Sequence, residues 1–423
     1  MKLRLTTVLI LAQLCGAAFI HAQPANKEHW VATWTTAQLL ARDQPAPQTA
    51  ATTPRPQAAG ARGYNNQTVR MVVRASIGGR RLRVKLASAF ASAPVAVGAA
   101  HIAIRVKESE IAPGTDRALT FNGKPSCTIG PGMVILSDPV DLNAPPLADL
   151  AVSLYFPGET GPLTSHATGL HTTYVADGDL TGQTAITGGS TTQSYYWLAG
   201  VDVLAPANAS LIVAFGDSIT DGARSTPETN HAWPSLLAAR LAAKKDTAHF
   251  AVANMGIGGN RLLRDGTGAS ALARFDRDVL SQSGVSWVVV LEGINDIGRE
   301  ATVPAEAVTA DELIGAYKQI IERAHTHGIK VVGATLTPYE GASYSRETGE
   351  AVREALNQWI RSSGACDAVV DFEAATRDPA NPKHIRADFD PGDHLHPNDA
   401  GYQAMADAFD LGIFTGKGKA GKR

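Results

Sequence analysis

Alternating apolar and polar side chains dominate the first half of the chain. Residues 69–75 and 82–86 alternate apolar and basic side chains, and Gly78-Gly79 lies between the two runs. This period of two predicts two strands joined in a hairpin, with the glycines at its turn. Further strand-like runs occupy residues 29–35, 95–106, 118–122, 133–136, 150–156 and 171–176. Short strands at regular spacing, separated by Gly, Pro, Asn and Asp turns, predict an antiparallel β-sandwich.

The pattern changes near residues 205–208, where strand-like and helical segments begin to alternate. That alternation is typical of a parallel sheet wrapped by helices. The predicted strands are residues 211–215, 249–254, 287–291, 330–336 and 368–372. A helix before the fourth strand begins with a capping box of Thr309 and Glu312 and ends at Gly328. A last helix follows Pro397-Asn398.

The length and the change of pattern divide the chain into two folded parts. A chain of 423 residues exceeds one typical core. We predict a β-rich accessory domain over residues 23–205 and an α/β domain with a parallel sheet over residues 206–414. Residues 41–62, rich in Pro, Ala, Gln and Thr, have no periodicity and predict a long loop. The last residues, 415–423, predict a basic, flexible tail.

The first 22 residues have the pattern of a cleavable secretory signal. Lys2 and Arg4 precede an apolar stretch over residues 5–20, and Ala22 is a small residue at which a signal peptidase could cut. The three residues before Cys15 are a poor match to the small-residue box of lipoproteins, which disfavours lipidation there. Because the apolar stretch is short and no second one follows, we expect a secreted or periplasmic protein without a membrane span.

Charge and cysteine content narrow the possible partners. The formal net charge is -2, with both signs spread along the chain, which leaves no basic footprint for nucleic acid. Cys127 and Cys366 could pair in an oxidising compartment, but we favour two separate buried thiols. The sequence does not determine the oligomeric state.

Candidate catalytic residues follow the predicted parallel strands, at the sheet edge where such folds form their sites. Ser218 lies at a tight turn after the first strand, which suits a nucleophile or, alternatively, a helix cap. Glycines at residues 256–259 follow the second strand and would let a loop approach a ligand closely. Asn295 follows the third strand and could donate N–H groups to an oxyanion without adding charge.

A carboxylate and an imidazole come together before the last helix. Asp393 stands three residues before His396, so its carboxylate can fold back to Nδ1 and leave Nε2 free for a serine proton. The competing interpretation is a metal site formed by Asp393, His394 and His396. The other histidines are scattered and no H-E-x-x-H motif occurs, so we rank metal catalysis below serine catalysis.

The order of these four blocks resembles the SGNH (GDSL) hydrolase family, whose blocks carry Ser, Gly, Asn and His. The resemblance covers residues 210–414. It implies a flavodoxin-like three-layer α/β/α sandwich and ester hydrolysis without a metal or other cofactor. The implied catalytic residues are Ser218, Asp393 and His396, and the implied oxyanion hole consists of the backbone N–H groups of Ser218 and Gly259 with the Asn295 side chain.

The amino-terminal half is similar to that of secreted SGNH esterases associated with plant-polysaccharide degradation. The similarity lies in a W-x-x-x-W segment at residues 30–34 and an I-G-G-R-R segment at residues 77–81. It implies acetyl or hydroxycinnamoyl esters on hemicellulose as substrates. The alternative function is a carbohydrate-binding protein with accessory or no hydrolytic activity. Its stacking platforms would be Trp30, Trp34, Tyr195, Tyr196 and Trp197.

Overall fold

The computed structural model describes residues 28–39 and 63–417. The predicted signal sequence, the loop predicted at residues 41–62 and the end of the basic tail lie outside the described residues. None of the helices in the described ranges is long and apolar enough to cross a bilayer.

Antiparallel strands build the β-rich half. They are β1 Glu28–Thr35, β2 Gln67–Arg74, β3 Gly79–Ala87, β4 Val95–Val97, β5 Ala99–Lys107, β6 Glu110–Ile111, β7 Arg117–Ala118, β8 Cys127–Ile129, β9 Val134–Leu136, β10 Val140–Ala144, β11 Asp149–Phe156, β12 Ser165–His166, β13 Thr173–Asp177, β14 Ser190–Thr192, β15 Tyr195–Tyr196 and β16 Leu198–Pro206. One large sheet has the order β1-β16-β3-β10 with β9 beside β3, and the other has β14-β13-β2-β11-β5-β6 with β7 beside β5. The antiparallel sheets predicted for this half are confirmed.

The hairpin predicted at Gly78-Gly79 is wrong. Both strands form, but β2 pairs with β11 and β13, whereas β3 pairs with β16, β10 and β9. The connection crosses from one sheet to the other, and Ser76 N–H donates to the Thr33 carbonyl at 3.0 Å on the way. Alternation assigns each residue to a face of its strand and carries no information about which strand lies beside it.

A parallel sheet builds the second half. Its elements are β17 Ser210–Gly216, α1 Ser218–Asp221, α2 Trp233–Ala242, β18 Phe250–Gly256, α3 Ala271–Phe275, β19 Val285–Leu291, α4 Ile294–Gly298, α5 Ala310–Thr326, β20 Lys330–Ala334, α6 Glu347–Ser362, β21 Ala368–Val370, α7 Phe372–Thr376 and α8 Asp399–Asp407. A π-helical turn spans Asp276–Leu280, and 3₁₀ turns span Arg299–Ala301, Pro304–Glu306 and Leu411–Ile413. The five predicted strands are confirmed, each to within two residues at either end.

The strand order of this sheet is β18-β17-β19-β20-β21, and all its pairs are parallel. The same order, with the second strand outermost, occurs in flavodoxin-like folds. Helix α2 packs on β18 and α8, whereas α5 packs on β20, α3 and α6. The mixed α/β class is therefore confirmed, and the complete three-layer sandwich stays a prediction.

The two halves share one core. Their buried apolar side chains form a continuous cluster that runs from Val31 to Phe414. Strand β1 packs against β17 and β18, and the Ala32 N–H donates to the Ser283 carbonyl at 2.9 Å. The boundary predicted at residue 205 therefore separates two sheet topologies that are joined by a common core.

The two cysteines of the described ranges are not bonded to each other, as we favoured. Both thiols are partly buried, and burial raises the pKa of Cys127 to about 11 and that of Cys366 to about 12. Both are therefore neutral thiols near pH 7.

Candidate active site

Ser218 is presented at the carboxyl edge of the parallel sheet. It is the first residue of α1 and directly follows the turn after β17. A Cβ on Gly216 would lie 2.2 Å from Thr220 Oγ1, so only glycine allows the chain to turn this closely. The Asp217 carboxylate accepts the Ile219 N–H at 2.9 Å and caps the helix. The alternative role of Ser218 as the cap is therefore wrong, and its hydroxyl is available for other contacts.

The structure brings Ser218, His396 and Asp393 into one chain of hydrogen bonds. Ser218 Oγ lies 2.8 Å from His396 Nε2, and His396 Nδ1 lies 2.9 Å from Asp393 Oδ2. Asp393 Oδ1 accepts the backbone N–H of His396 at 3.0 Å, so the carboxylate folds back as the spacing predicted. In this arrangement the imidazole can take the serine proton while the carboxylate holds its other nitrogen.

Asp393 is held in its charged form. Burial on its own would raise the pKa of Asp393, but the backbone and side-chain hydrogen bonds from His396 outweigh it and hold the pKa well below its usual range. Arg224 Nε adds a further hydrogen bond to Asp393 Oδ2 at 2.9 Å. A carboxylate charged throughout the neutral range can stabilise an imidazolium at His396. Sequence reasoning did not single out Arg224, because nothing in its neighbourhood along the chain points to Asp393.

The glycine loop after β18 lies against α1. Gly258 N–H donates to Asp221 Oδ2 at 3.1 Å, and Asn254 Nδ2 donates to the Thr220 carbonyl at 2.8 Å. Gly259 follows with φ +71, in the left-handed region that favours glycine. Within the described part of the chain, neither the Ser218 N–H nor the Gly259 N–H donates to a protein acceptor. Both groups are therefore available to a ligand.

Asn295 lies beside the same loop. It is the second residue of α4, and its Nδ2 donates to the backbone carbonyl of Asn260, the residue after Gly259, at 2.9 Å. That bond fixes the orientation of the amide and uses one of its two N–H groups. The other can serve an oxyanion.

Arg274 ties the carboxyl ends of the first three parallel strands together, and sequence reasoning missed it. Its fully buried guanidinium donates to the carbonyls of Gly216 at 2.9 Å and Met255 at 2.7 Å, and to Asn260 Oδ1 at 2.8 Å. It also pairs with buried Glu292 at 3.1 Å. An arginine in a short helix gives no sequence signal that separates it from an exposed one.

Buried carboxyl groups surround this arginine. Burial raises the pKa of Asp217 to about 7 and that of Asp296 to about 6, and it raises the pKa of Glu292 well above its usual value. Asp296 accepts the Leu262 N–H at 2.6 Å, just beyond the glycine loop. The region behind Ser218 therefore carries less negative charge near pH 7 than its sequence suggests.

The histidines of the proposed metal alternative have separate carboxylate partners. His394 Nδ1 lies 2.5 Å from Asp390 Oδ2, whereas His396 is held by Asp393. Among residues 28–39 and 63–417, no group of three or more His, Cys, Asp and Glu side chains is arranged to hold a metal ion.

Three of the five aromatic residues suggested as stacking platforms are in the core. Tyr195 and Tyr196 are each 5% exposed, and Trp197 is 1% exposed. Trp34 is partly buried and meets Tyr195 edge to face at 4.9 Å. Trp30 packs against the Arg83 guanidinium at 4.5 Å. A platform built from Tyr195, Tyr196 and Trp197 is therefore wrong, because these rings have no exposed face.

Comparison with known proteins gives one family match and several similar folds. Residues 214–404 match the GDSL-like Lipase/Acylhydrolase family. A search among curated proteins found no match to this chain.

Solved structures resemble about half of the chain. An acetyl xylan esterase is 25% identical, with 47% of this chain and 96% of that chain covered and a TM-score of 0.37. A variant of an acetyl xylan esterase from Geobacillus stearothermophilus is 25% identical, with 48% and 95% covered and a TM-score of 0.37. An alpha/beta hydrolase enzyme from the metagenome of Lake Arreo, Spain, is 23% identical, with 50% and 97% covered and a TM-score of 0.38. TM-scores this low carry no argument about substrate.

The family match covers the turn that presents Ser218, the glycine loop, Asn295 and the Asp393–His396 pair. Residues 214–404 form a GDSL-like lipase/acylhydrolase domain, and the chain is a carboxylic ester hydrolase.

Proposed function

We propose that this chain is a serine esterase that works through an acyl-serine intermediate. One observation carries the proposal: Ser218 Oγ lies 2.8 Å from His396 Nε2, and His396 Nδ1 lies 2.9 Å from Asp393 Oδ2. A serine with a general base in reach, and a carboxylate that orients this base, is the arrangement that nucleophilic acyl transfer requires.

In the first half-reaction, Ser218 Oγ attacks the ester carbonyl carbon and its proton passes to His396 Nε2. Asp393 stabilises the imidazolium that forms. When the tetrahedral intermediate collapses, the C–O bond to the alcohol breaks and the alcohol leaves with the proton from His396. In the second half-reaction, water attacks the acyl carbonyl carbon and gives a proton to His396 Nε2. The C–Oγ bond to Ser218 then breaks, Ser218 Oγ takes the proton from His396, and the acid leaves.

The negative oxygen of each tetrahedral intermediate needs donors that are already in place. We assign this role to the backbone N–H groups of Ser218 and Gly259 and to the free N–H of the Asn295 side chain. The support is that both backbone groups lack an acceptor among the described residues, and that the Asn295 amide is oriented by its bond to Asn260. Fixed donors of this kind require no reorganisation during the reaction.

The direct test replaces the nucleophile. Ser218→Ala is expected to lower kcat for a short-chain nitrophenyl ester by at least about 10⁴-fold, since it removes the hydroxyl on which the acyl intermediate forms. Ser225→Ala is the matched control, because this serine is also buried and its Oγ donates to the Gly222 carbonyl at 2.7 Å, away from His396. Full activity in Ser218→Ala would rule out the serine mechanism. Unchanged activity after treatment with a metal chelator would rule out the metal alternative.

The proposed substrates are esters on plant polysaccharides. We propose acetyl or hydroxycinnamoyl esters on hemicellulose, on the basis of the W-x-x-x-W and I-G-G-R-R segments of the amino-terminal half. Activity assays on acetylated xylan, feruloylated sugars and simple short-chain esters, each with wild type and Ser218→Ala, would separate these classes.

We also propose that the signal sequence is removed on export. Amino-terminal sequencing of the exported protein is expected to show that the mature chain starts directly after Ala22.

The two separate helix groups around the sheet support the three-layer arrangement.

A further inference from the structure

A buried histidine of the β-rich half contacts the helix that begins with Ser218. His166 lies in β12, and its Nε2 is 2.9 Å from Oδ1 of Asp221, the last residue of α1. Its Nδ1 is 2.7 Å from the Ala37 carbonyl oxygen. The side chains of His166 and Asp221 are only 4% and 5% exposed. This is a close polar contact between the two halves, next to the candidate active site.

The contact requires a proton between the two side chains. Because the Ala37 carbonyl can only accept, Nδ1 must carry a hydrogen. Nε2 faces a carboxylate oxygen, so a second proton must lie between Nε2 and Oδ1 of Asp221. Without this second proton, two lone pairs would oppose each other in a buried site.

The Asp221 carboxylate connects His166 to the glycine loop. Its Oδ2 accepts the Gly258 N–H at 3.1 Å, so the two carboxylate oxygens have one partner in each half of the molecule. A Cβ on Gly256 would lie 2.2 Å from the Asp221 nitrogen, which shows how closely the loop approaches α1. The next peptide after Gly258 carries the Gly259 N–H. Rotation of the Asp221 carboxylate would therefore change the direction of that N–H.

We propose that His166 is a positioning residue for the oxyanion-binding loop: it holds the Asp221 carboxylate in the rotamer that fixes Gly258 and thereby directs the Gly259 N–H. This inference rests on the proposed function in that Gly259 is taken as an oxyanion donor. It gives the β-rich half a part in turnover that does not require any contact with substrate.

The proton of this pair makes the arrangement pH-dependent. Burial on its own would lower the pKa of His166, but the charge of Asp221 and the hydrogen bonds to it outweigh burial and raise the pKa. The stabilising contact is therefore complete below the usual histidine range and is lost as the pH rises through the raised value. Titratable groups around the pair include Tyr195, which stacks on His166, Arg74, which pairs with Asp149, and His171, which pairs with Glu228. Asp217 and Tyr402 also face Asp221, and burial together with the charge of Asp221 raises the pKa of both.

The kinetic test uses His166→Ala and His166→Gln in the full chain. Loss of the contact is expected to lower kcat for a nitrophenyl acetate about 10-fold or more, and to leave KM nearly unchanged, because an oxyanion donor acts in the transition state. Gln can still donate to Asp221 but does not titrate, so His166→Gln should recover part of kcat and remove the alkaline decline of kcat. His171→Gln is the matched control, since His171 is equally buried but bonds to Glu228 and Asn230.

A second measurement follows amide hydrogen exchange in the glycine loop and does not depend on activity. Hydrogen exchange of the peptide that contains residues 255–262, followed by mass spectrometry, is expected to be faster in His166→Ala than in wild type and unchanged in His171→Gln. Unchanged kcat and unchanged exchange in both His166 variants would overturn the inference. An active Ser218→Ala would overturn the proposed esterase mechanism alone, because the exchange result would still report on His166 and the loop.

Discussion

At the scale of single residues, two carboxyl groups near Ser218 have opposite environments. Asp217 is fully buried, and burial raises its pKa to about 7, whereas hydrogen bonds hold the pKa of Asp393 below its usual range. One carboxylate oxygen of Asp217 accepts the Ile219 N–H and caps helix α1. Only Asp393 can therefore supply a full negative charge to His396, and environment separates the two roles as in other carboxylate pairs.

This assignment predicts the effect of Asp393→Asn. The Asn amide would donate to Nδ1 and favour the imidazole tautomer with its hydrogen on Nε2, so the base could no longer accept the serine proton. We expect kcat to fall by about 10⁴-fold with little change in KM. Asp390→Asn is the matched control, because Asp390 holds the neighbouring His394 at 2.5 Å. Equal losses in the two variants would contradict the role of Asp393.

At the scale of elements, the sequence predicted strands and capped helices well. The five parallel strands are mostly apolar runs, and α5 and α8 are preceded by Thr309 and Asn398, whose side chains cap them. Helices α2 and α6, which we did not predict, are preceded by Ala232 and Arg346, and neither side chain caps its helix. Strand β16, which we did not predict, is buried on nearly every residue, so both of its faces are covered and its sequence lacks a clear alternation.

Pairing partners and buried ion pairs could not be predicted, because they depend on contacts between distant parts of the chain. The strands of the supposed hairpin belong to different sheets for this reason. The candidate residues Ser218, Asp393 and His396 could be found, since each lies at the end of a predicted element and their order is informative. Arg274 and His166 act through distant partners and left no local signal.

Replacement of the buried Arg274 is expected to destabilise the fold. Arg274→Met would remove the donors that join β17 and β18 at their carboxyl ends and would leave Glu292 and Asp278 without their buried cation. Removing one partner of a buried ion pair costs about 3–5 kcal/mol, so we expect the free energy of unfolding in urea to fall by that amount.

The matched control for this variant is Arg277→Met. Arg277 also pairs with Asp278, but its side chain is 30% exposed, so we expect a loss of only about 1 kcal/mol or less. If both variants had the same free energy of unfolding, Arg274 would not be the structural link that its contacts indicate.

At the scale of the whole molecule, the β-rich half is part of the enzyme's framework. It shares the apolar core with the α/β half, and polar contacts such as Arg105–Glu228 at 2.9 Å and Lys85–Gln282 at 3.1 Å cross between the two. Three of the five suggested aromatic platforms are inside this core. The structure therefore favours a role of this half in holding the active-site loops over a role as a separate carbohydrate-binding module.

We propose that Ser218 is a nucleophile activated by His396. A fluorophosphonate reacts covalently with such a serine, so the full chain would be treated with this reagent and its peptides examined by mass spectrometry. We predict one adduct on the peptide that contains Ser218, slower formation in His396→Ala, and none in Ser218→Ala. Ester hydrolysis without an adduct at Ser218, or with the adduct on another residue, would show that Ser218 is not the nucleophile.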